Sequence, residues 1–215
     1  NIKLPKVEEI GDYFLPRAEN IKEMHIENVK TIGSFFLGYN LSLENLSLPK
    51  VEEIGDDFLY YNLKLNSLGL PKLRQVGRCF LFNNKILYNI IAPKLETIGK
   101  NFLCSNESLE NLSLPKLKTA RRCFLYENKK LNSLNLPKLK YIGSYFLFNN
   151  IGLKTLFLPS AEEIGDSFLC NNVILNKTDF PKLRSVGSFF LKENKKLKKL
   201  ELLELVSVLD NFLSE

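Results

Sequence analysis

The 215-residue sequence has no Trp, one His and one Met. A lone imidazole, His25, argues against a His-ligated metal centre and against a His relay. None of the four cysteines, Cys79, Cys104, Cys123 and Cys170, stands in a Cys-x-x-Cys spacing, which argues against zinc. No phosphate-cradling Gly loop and no nucleophile beside a base is visible, so no catalytic residue is assigned and no cofactor is expected. There is no apolar run of the roughly 18 residues that a membrane helix needs, so no membrane insertion is expected. Charge is nearly balanced, with 30 Lys+Arg against 24 Asp+Glu and a net of +6. Acids interleaved with the bases count against nucleic-acid binding. At 45% hydrophobic and 25% charged, the chain is rich enough in apolar residues to fold.

What the sequence has in excess is Leu (41), Asn (23) and Phe (16). The excess comes from one pattern copied along the chain. Pro5, Pro49, Pro71, Pro93, Pro115, Pro137, Pro159 and Pro181 are separated by multiples of 22 residues. Glycine follows six positions later in most copies, from Gly11 to Gly187, and phenylalanine three positions after that, from Phe14 to Phe212, in every copy. A Leu follows each Phe. An Asn column runs from Asn40 to Asn194, with Ala18 in the first register. One unit reads Leu43-x-x-Leu46-x-Leu48-Pro49-x-Val51-x-x-Ile54-Gly55-x-x-Phe58-Leu59-x-x-Asn62, and no residue is inserted or lost between copies.

Strict spacing predicts coils stacked in register, so that residues 22 apart become neighbours. The Leu46-x-Leu48 alternation predicts a short parallel strand, with equivalent strands about 4.8 Å apart. Pro49 ends it, because proline has no N–H to give the ladder. Val51 and Ile54 return to the core. Gly55 is expected to supply a backbone conformation that a Cβ resists, and Phe58-Leu59 to begin a second wall of turns or a single 3₁₀ turn. The Asn62 amide is expected to satisfy backbone groups of its own and the next coil. The expectation is one β-rich solenoid over 1–215, with about nine and a half 22-residue repeats. Because the sequence begins mid-repeat, it is expected to be part of a longer protein.

The pattern resembles leucine-rich repeats, most of all the bacterial BspA-like class. The matching residues are Leu43, Leu46, Leu48, Pro49, Ile54, Gly55, Phe58, Leu59 and Asn62, with their equivalents in the other copies. Phe-Leu stands where the class has Ala-Phe, Asn stands for its Cys, and each unit is one residue shorter. The resemblance implies an extended, non-catalytic binding protein of the cell surface or secreted.

Stacking turns sequence positions into columns. The third residue after Pro gives Glu8, Lys30, Glu52, Arg74, Glu96, Lys118, Lys140, Glu162 and Arg184. Only Lys118 next to Lys140 repels, which predicts an inter-coil ion-pair ladder. The residue after Pro is mostly Lys, including Lys94, Lys116 and Lys138, either a solubilising stripe or a track that steers an acidic partner. Arg78, Lys100 and Arg122 share another column, and Arg121 replaces a Gly beside it. They form a candidate anion patch, with ordinary solvated surface as the alternative. On the outward strand face stand Asn89, Ile91, Asn111, Ser113, Asn135 and Phe157, the candidate contacts for a protein or glycan partner. The alternative function is a structural spacer presenting another domain. Column positions separate Cys79 from Cys123 by two coils, roughly 10 Å, beyond the roughly 7 Å Cα reach of a disulfide, and Cys104 from Cys170 by three. Four free thiols are expected. Oligomeric state has no signature in the sequence.

Overall fold

The computed structural model describes residues 1–214 as a stack of parallel coils with no helix. Each coil has three sides. The first is a three-residue strand such as Asn89–Ile91 or Asn111–Ser113, the second a two-residue strand such as Glu53–Ile54, and the third a run of turns. Strand partners are equivalent residues of successive coils: Ile90 with Leu112, Leu134 with Leu156, Ile54 with Val76. The second-side strand, unannounced in the sequence, forms because Glu53-Ile54 alternates an outward carboxylate with a buried branched side chain.

The core is a set of columns. Leu43, Leu48, Val51, Ile54, Phe58 and Leu59 are buried, and so are most of their equivalents. The Phe rings form one stack from Phe14 to Phe212; Phe58 and Phe80 lie 5.4 Å apart between centroids with planes 6° from parallel. Stacking at this distance fills the interior and makes each ring depend on the one above and below.

The turn side is a run of turns, the first of the two forms the sequence leaves open, and contains no 3₁₀ helix among the described residues. Every second residue there is left-handed: Asp57 (φ 55°), Leu59 (φ 51°) and Tyr61 (φ 57°), with the same alternation in the other coils. Such a conformation resists Cβ branching, and none of the residues that adopt it is Val, Ile or Thr. Hydrogen bonds run both ways along the stack: the Asp57 and Tyr61 amides donate forward to the carbonyls of Arg78 and Phe82, and the Leu59 amide donates back to Phe36.

The expected role of Gly55 is also corrected. No glycine has positive φ. A Cβ on Gly55 would lie 2.8 Å from the carbonyl carbon of Gly33 and from the amide of Ser34, and one on Gly99 would lie 2.4 Å from the amide of Arg78. Glycine is needed because successive coils meet backbone to backbone at this corner.

The asparagine side chains serve backbone of their own coil, as expected, but reach the coil before and not the one after, which corrects the expectation. Asn62, Asn84, Asn106, Asn128, Asn150 and Asn172 are fully buried. Asn106 Nδ2 donates to the Leu81 carbonyl of the preceding coil at 2.9 Å, and its Oδ1 accepts the Asn84 amide at 2.9 Å. The Nδ2 bonds recur along the column and satisfy carbonyls that the turn buries away from water. Oδ1 accepts a backbone amide at Asn84, Asn106 and Asn150 and has no partner at Asn62, Asn128 and Asn172.

Candidate functional site

Neither sheet is continuous. The first-side strands fall into three groups, with gaps between Asn45–Ser47 and Ser67–Gly69 and between Asn111–Ser113 and Ser133–Asn135. The second-side strands fall into two groups; the Gln75–Thr97 bridge ends one, and Thr119–Ala120 begins the other. The second-side gap coincides with a change in the sequence. Arg121 occupies the glycine corner, where elsewhere a Cβ would meet the backbone of the preceding coil; the strand pairing is missing beside it, although the Asn101 amide still donates to the Arg122 carbonyl across the same two coils.

A shallow groove of about 510 Å³ crosses the gap between Asn111–Ser113 and Ser133–Asn135. Asn89, Ile91, Asn111, Ser113 and Asn135 line it, with Pro93, Pro115 and Pro137 along one side. Ile91 is 54% exposed because its partners in the ladder are Gly69 and Ser113, which are too small to cover it. Five of the six expected face residues therefore come together. Phe157 does not join them. It pairs with Asn135 and Asp179, and it is half-buried with the Lys177 ammonium 5.3 Å above its ring. The expectation of an exposed aromatic is corrected to an aromatic capped by a cation.

Lys94, Lys116 and Lys138 are exposed beside the groove. Lys116 lies 3.9 Å from Glu96, while Lys94 and Lys138 have no ion pair among the described residues.

The charged column pairs two by two rather than continuously. Glu8–Lys30 (2.9 Å), Glu52–Arg74 (3.8 Å) and Lys140–Glu162 (2.9 Å) close, whereas Arg184 turns to Glu204 at 3.8 Å. A long exposed side chain gains little from any one partner and settles on a single neighbour. The Lys30 ammonium bonded to Glu8 holds that carboxyl below its ordinary range, and Lys140 does the same for Glu162.

A second groove, of about 640 Å³, lies along the second sheet beyond the Arg121 gap. Lys100, Arg121 and Arg122 stand at its margin, and Glu163 is the acid in its lining. Arg78 is committed elsewhere, with Nε 3.1 Å from Asp56 and 3.8 Å from Asp57. The Arg122 guanidinium lies 5.0 Å over the Tyr145 ring. Tyr141 and Glu163 were not singled out from the sequence; their signal was membership of the second strand, which was not expected.

All four cysteines are free. Burial pushes the Cys104, Cys170 and Cys79 thiols up, most of all Cys104, which donates to the Cys123 carbonyl at 2.8 Å. No cluster of His, Cys, Asp or Glu among the described residues is placed to hold a metal ion. No helix is long and apolar enough to cross a membrane. On the turn side Tyr60 stacks on Phe82 at 5.0 Å and Tyr126 on Phe148 at 5.1 Å. Burial raises the Tyr60 hydroxyl to about 12.

The sequence matches the family described as BspA type Leucine rich repeat region, in six copies, over residues 1–110, 36–146 and 118–213. A leucine-rich repeat protein from Bacteroides ovatus has a similar structure, with a TM-score of 0.68 and 18% identity over 95% of this chain and 73% of that one. The Leucine Rich Repeat protein of T. pallidum is similar at a TM-score of 0.43 and 15% identity, covering 91% of this chain and 77% of that one. A leucine rich cell surface protein from Faecalibacterium prausnitzii gives 0.40 and 14%, with 92% and 80% covered. No curated protein matches the sequence.

Proposed function

Because the chain belongs to the BspA-type leucine-rich repeat family, we propose that it is a non-catalytic interaction scaffold which seats a protein or glycan partner on its first sheet. Kinship with this family supports reading the repeats as a presented surface and placing the protein on or outside a bacterial cell. The observation that carries the proposal is the groove at Ile91. An apolar side chain, 54% exposed, stands among Asn89, Asn111, Ser113 and Asn135, whose side chains offer donors and acceptors. An apolar anchor ringed by hydrogen-bonding groups is the usual anatomy of an interface centre. Lys94 and Lys138, unpaired at the rim, speed the approach of an acidic partner.

The test uses immobilised protein against purified extracellular-matrix proteins, serum and a glycan array, with bacterial lysate as comparison. A specific partner is expected, and Ile91→Asp is expected to weaken its binding by about tenfold or more, a loss typical of an anchor. Circular dichroism should be unchanged, since Ile91 points away from the core. Binding unaffected by Ile91→Asp and by Asn111→Arg would remove the groove from the interface. Failure to retain anything from any source would favour a spacer that holds another domain at a distance.

A further inference from the structure

We propose that Lys100, Arg121 and Arg122, with the backbone amides beside them, form a seat for the carboxylates of an acidic polypeptide segment. It lies on the second side of the coil and stands independently of the first-sheet groove.

The seat follows from what the same column does elsewhere in the chain. At Asp12, Ser34, Asp56 and Asp166, the residue after the glycine corner accepts a hydrogen bond from the equivalent backbone amide one coil further on. Asp12 Oδ1 accepts from Ser34 at 2.6 Å, Asp56 Oδ1 from Arg78 at 2.8 Å and Asp166 Oδ1 from Ser188 at 2.8 Å. Ser34 Oγ does the same for Asp56 at 3.3 Å. At three successive coils the column then holds Arg78, Lys100 and Arg122. These side chains carry donors only, so the amides of Lys100, Arg122 and Ser144 lack the acceptor that Asp12, Ser34, Asp56 and Asp166 provide in their coils. A row of amides lacking acceptors coincides with a row of positive charge, and an anion answers both.

Geometry selects which part of the row is available. The guanidinium of Arg78 is held by Asp56 and Asp57. No ion pair engages Lys100, Arg121 or Arg122 among the described residues. Arg121 adds its charge where other coils have glycine. Three cations against Glu163 give the groove one dominant sign.

The chain's own aspartates identify the ligand. A carboxylate at 2.6–2.8 Å from the amide is what fills the equivalent place in three other coils. Successive amides lie one coil apart, about 4.8 Å, so a single small anion answers only one of them. A segment with several neighbouring Asp or Glu side chains answers the row.

The experiment titrates a fluorescein-labelled hexa-aspartate peptide into the full chain and follows anisotropy at low salt and at 0.15 M. Arg122→Asp supplies the carboxylate that Asp56 and Asp166 supply natively, so it is compatible with the fold while filling the seat. It is expected to weaken the peptide by about tenfold or more, the size of a lost charge-assisted hydrogen bond. Lys100→Gln is expected to do the same, and Lys50→Gln with Lys72→Gln on the lysine stripe to change the affinity less than about twofold. An equal loss in the stripe variant would mean diffuse attraction and overturn the seat, as would absence of peptide binding. Displacement of the peptide by equimolar inorganic phosphate, or tighter binding of a sulfated polysaccharide through Lys100 and Arg122, would overturn the assignment to an acidic polypeptide.

Discussion

The amide of Asn62 donates to Oδ1 of Asn84 at 3.0 Å, and Nδ2 of Asn84 donates to the Leu59 carbonyl of that same earlier coil, also at 3.0 Å. One buried side chain thus closes two backbone groups that water cannot reach. Asn84→Ala leaves both unpaired, at roughly 1–3 kcal/mol each, so urea unfolding should show a loss of about 2–6 kcal/mol. Asn66→Ala, on the exposed start of the same coil's strand, should cost less than about 0.5 kcal/mol. Equal losses would deny the asparagine column its structural role.

The aromatic stack makes position along the rod matter. Phe102 lies between Phe80 and Phe124, 5.5 Å from each, and is fully buried. Phe14 is half-buried and stacks on Phe36 alone within the column. Phe102→Ala should cost about 3–5 kcal/mol, and Phe14→Ala distinctly less, because a terminal coil has one neighbour to lose. Thermal unfolding of the two variants side by side measures the difference.

Arg121→Gly should let the second sheet close across its gap. The readout is hydrogen exchange: the Thr119 amide, which begins the second group of strands, should exchange more slowly in the variant. Unchanged exchange there would show that something other than the Arg121 Cβ holds the coils apart.

Thiol reactivity should follow burial. Cys104 and Cys170 are buried, and burial raises both thiols from the ordinary value of 9.0. A raised thiol holds less of the reactive thiolate at a given pH. At pH 8 iodoacetamide should modify Cys123, which is half-exposed, well before Cys104, and peptide mass spectrometry should find Cys104 modified last. Early loss of Cys104 would indicate that the coil opens readily.

The Glu8–Lys30 pair sets a pH window. Lys30 bonds Glu8 and lowers its carboxyl from 4.5, while Glu8 raises the Lys30 ammonium from 10.5. The contribution of Glu8 is present above 4.5 and fades as pH falls through its lowered folded value. That of Lys30 is present below 10.5 and fades as pH rises through its raised one. Both side chains are exposed, so the effect is small and salt-sensitive. An NMR titration of the Glu8 carboxyl should move back toward 4.5 in Lys30→Met and in 1 M salt.

Much of this fold was legible because its stabilising contacts repeat. Phe58, Asn62 and Pro49 recur at a fixed spacing, and a fixed spacing between identical residues is already a statement of contact. The leucine strand, the asparagine bonds and the face at Asn89, Ile91 and Asn111 follow from it. What did not follow was backbone geometry. The left-handed turns at Asp57, Leu59 and Tyr61 carry bulky residues that ordinarily avoid that region, and their signal is only the absence of Val, Ile and Thr. Gly55 was misjudged because glycine marks two different needs, free rotation and close approach, and a sequence does not separate them. The pairing of Lys116 with Glu96 and the capping of Phe157 by Lys177 depend on rotamers that column arithmetic cannot supply.

Between coils the asparagine side chains all point one way: each Nδ2 donates to a carbonyl of the coil before it, besides one of its own, and none reaches the coil after. The solenoid therefore has a polarity that its outline conceals. During synthesis every newly emerged turn brings the groups that complete its predecessor, so maturation proceeds like a zip drawn from the amino end. Fraying should run in reverse, beginning where the most recent turn has no successor to finish it.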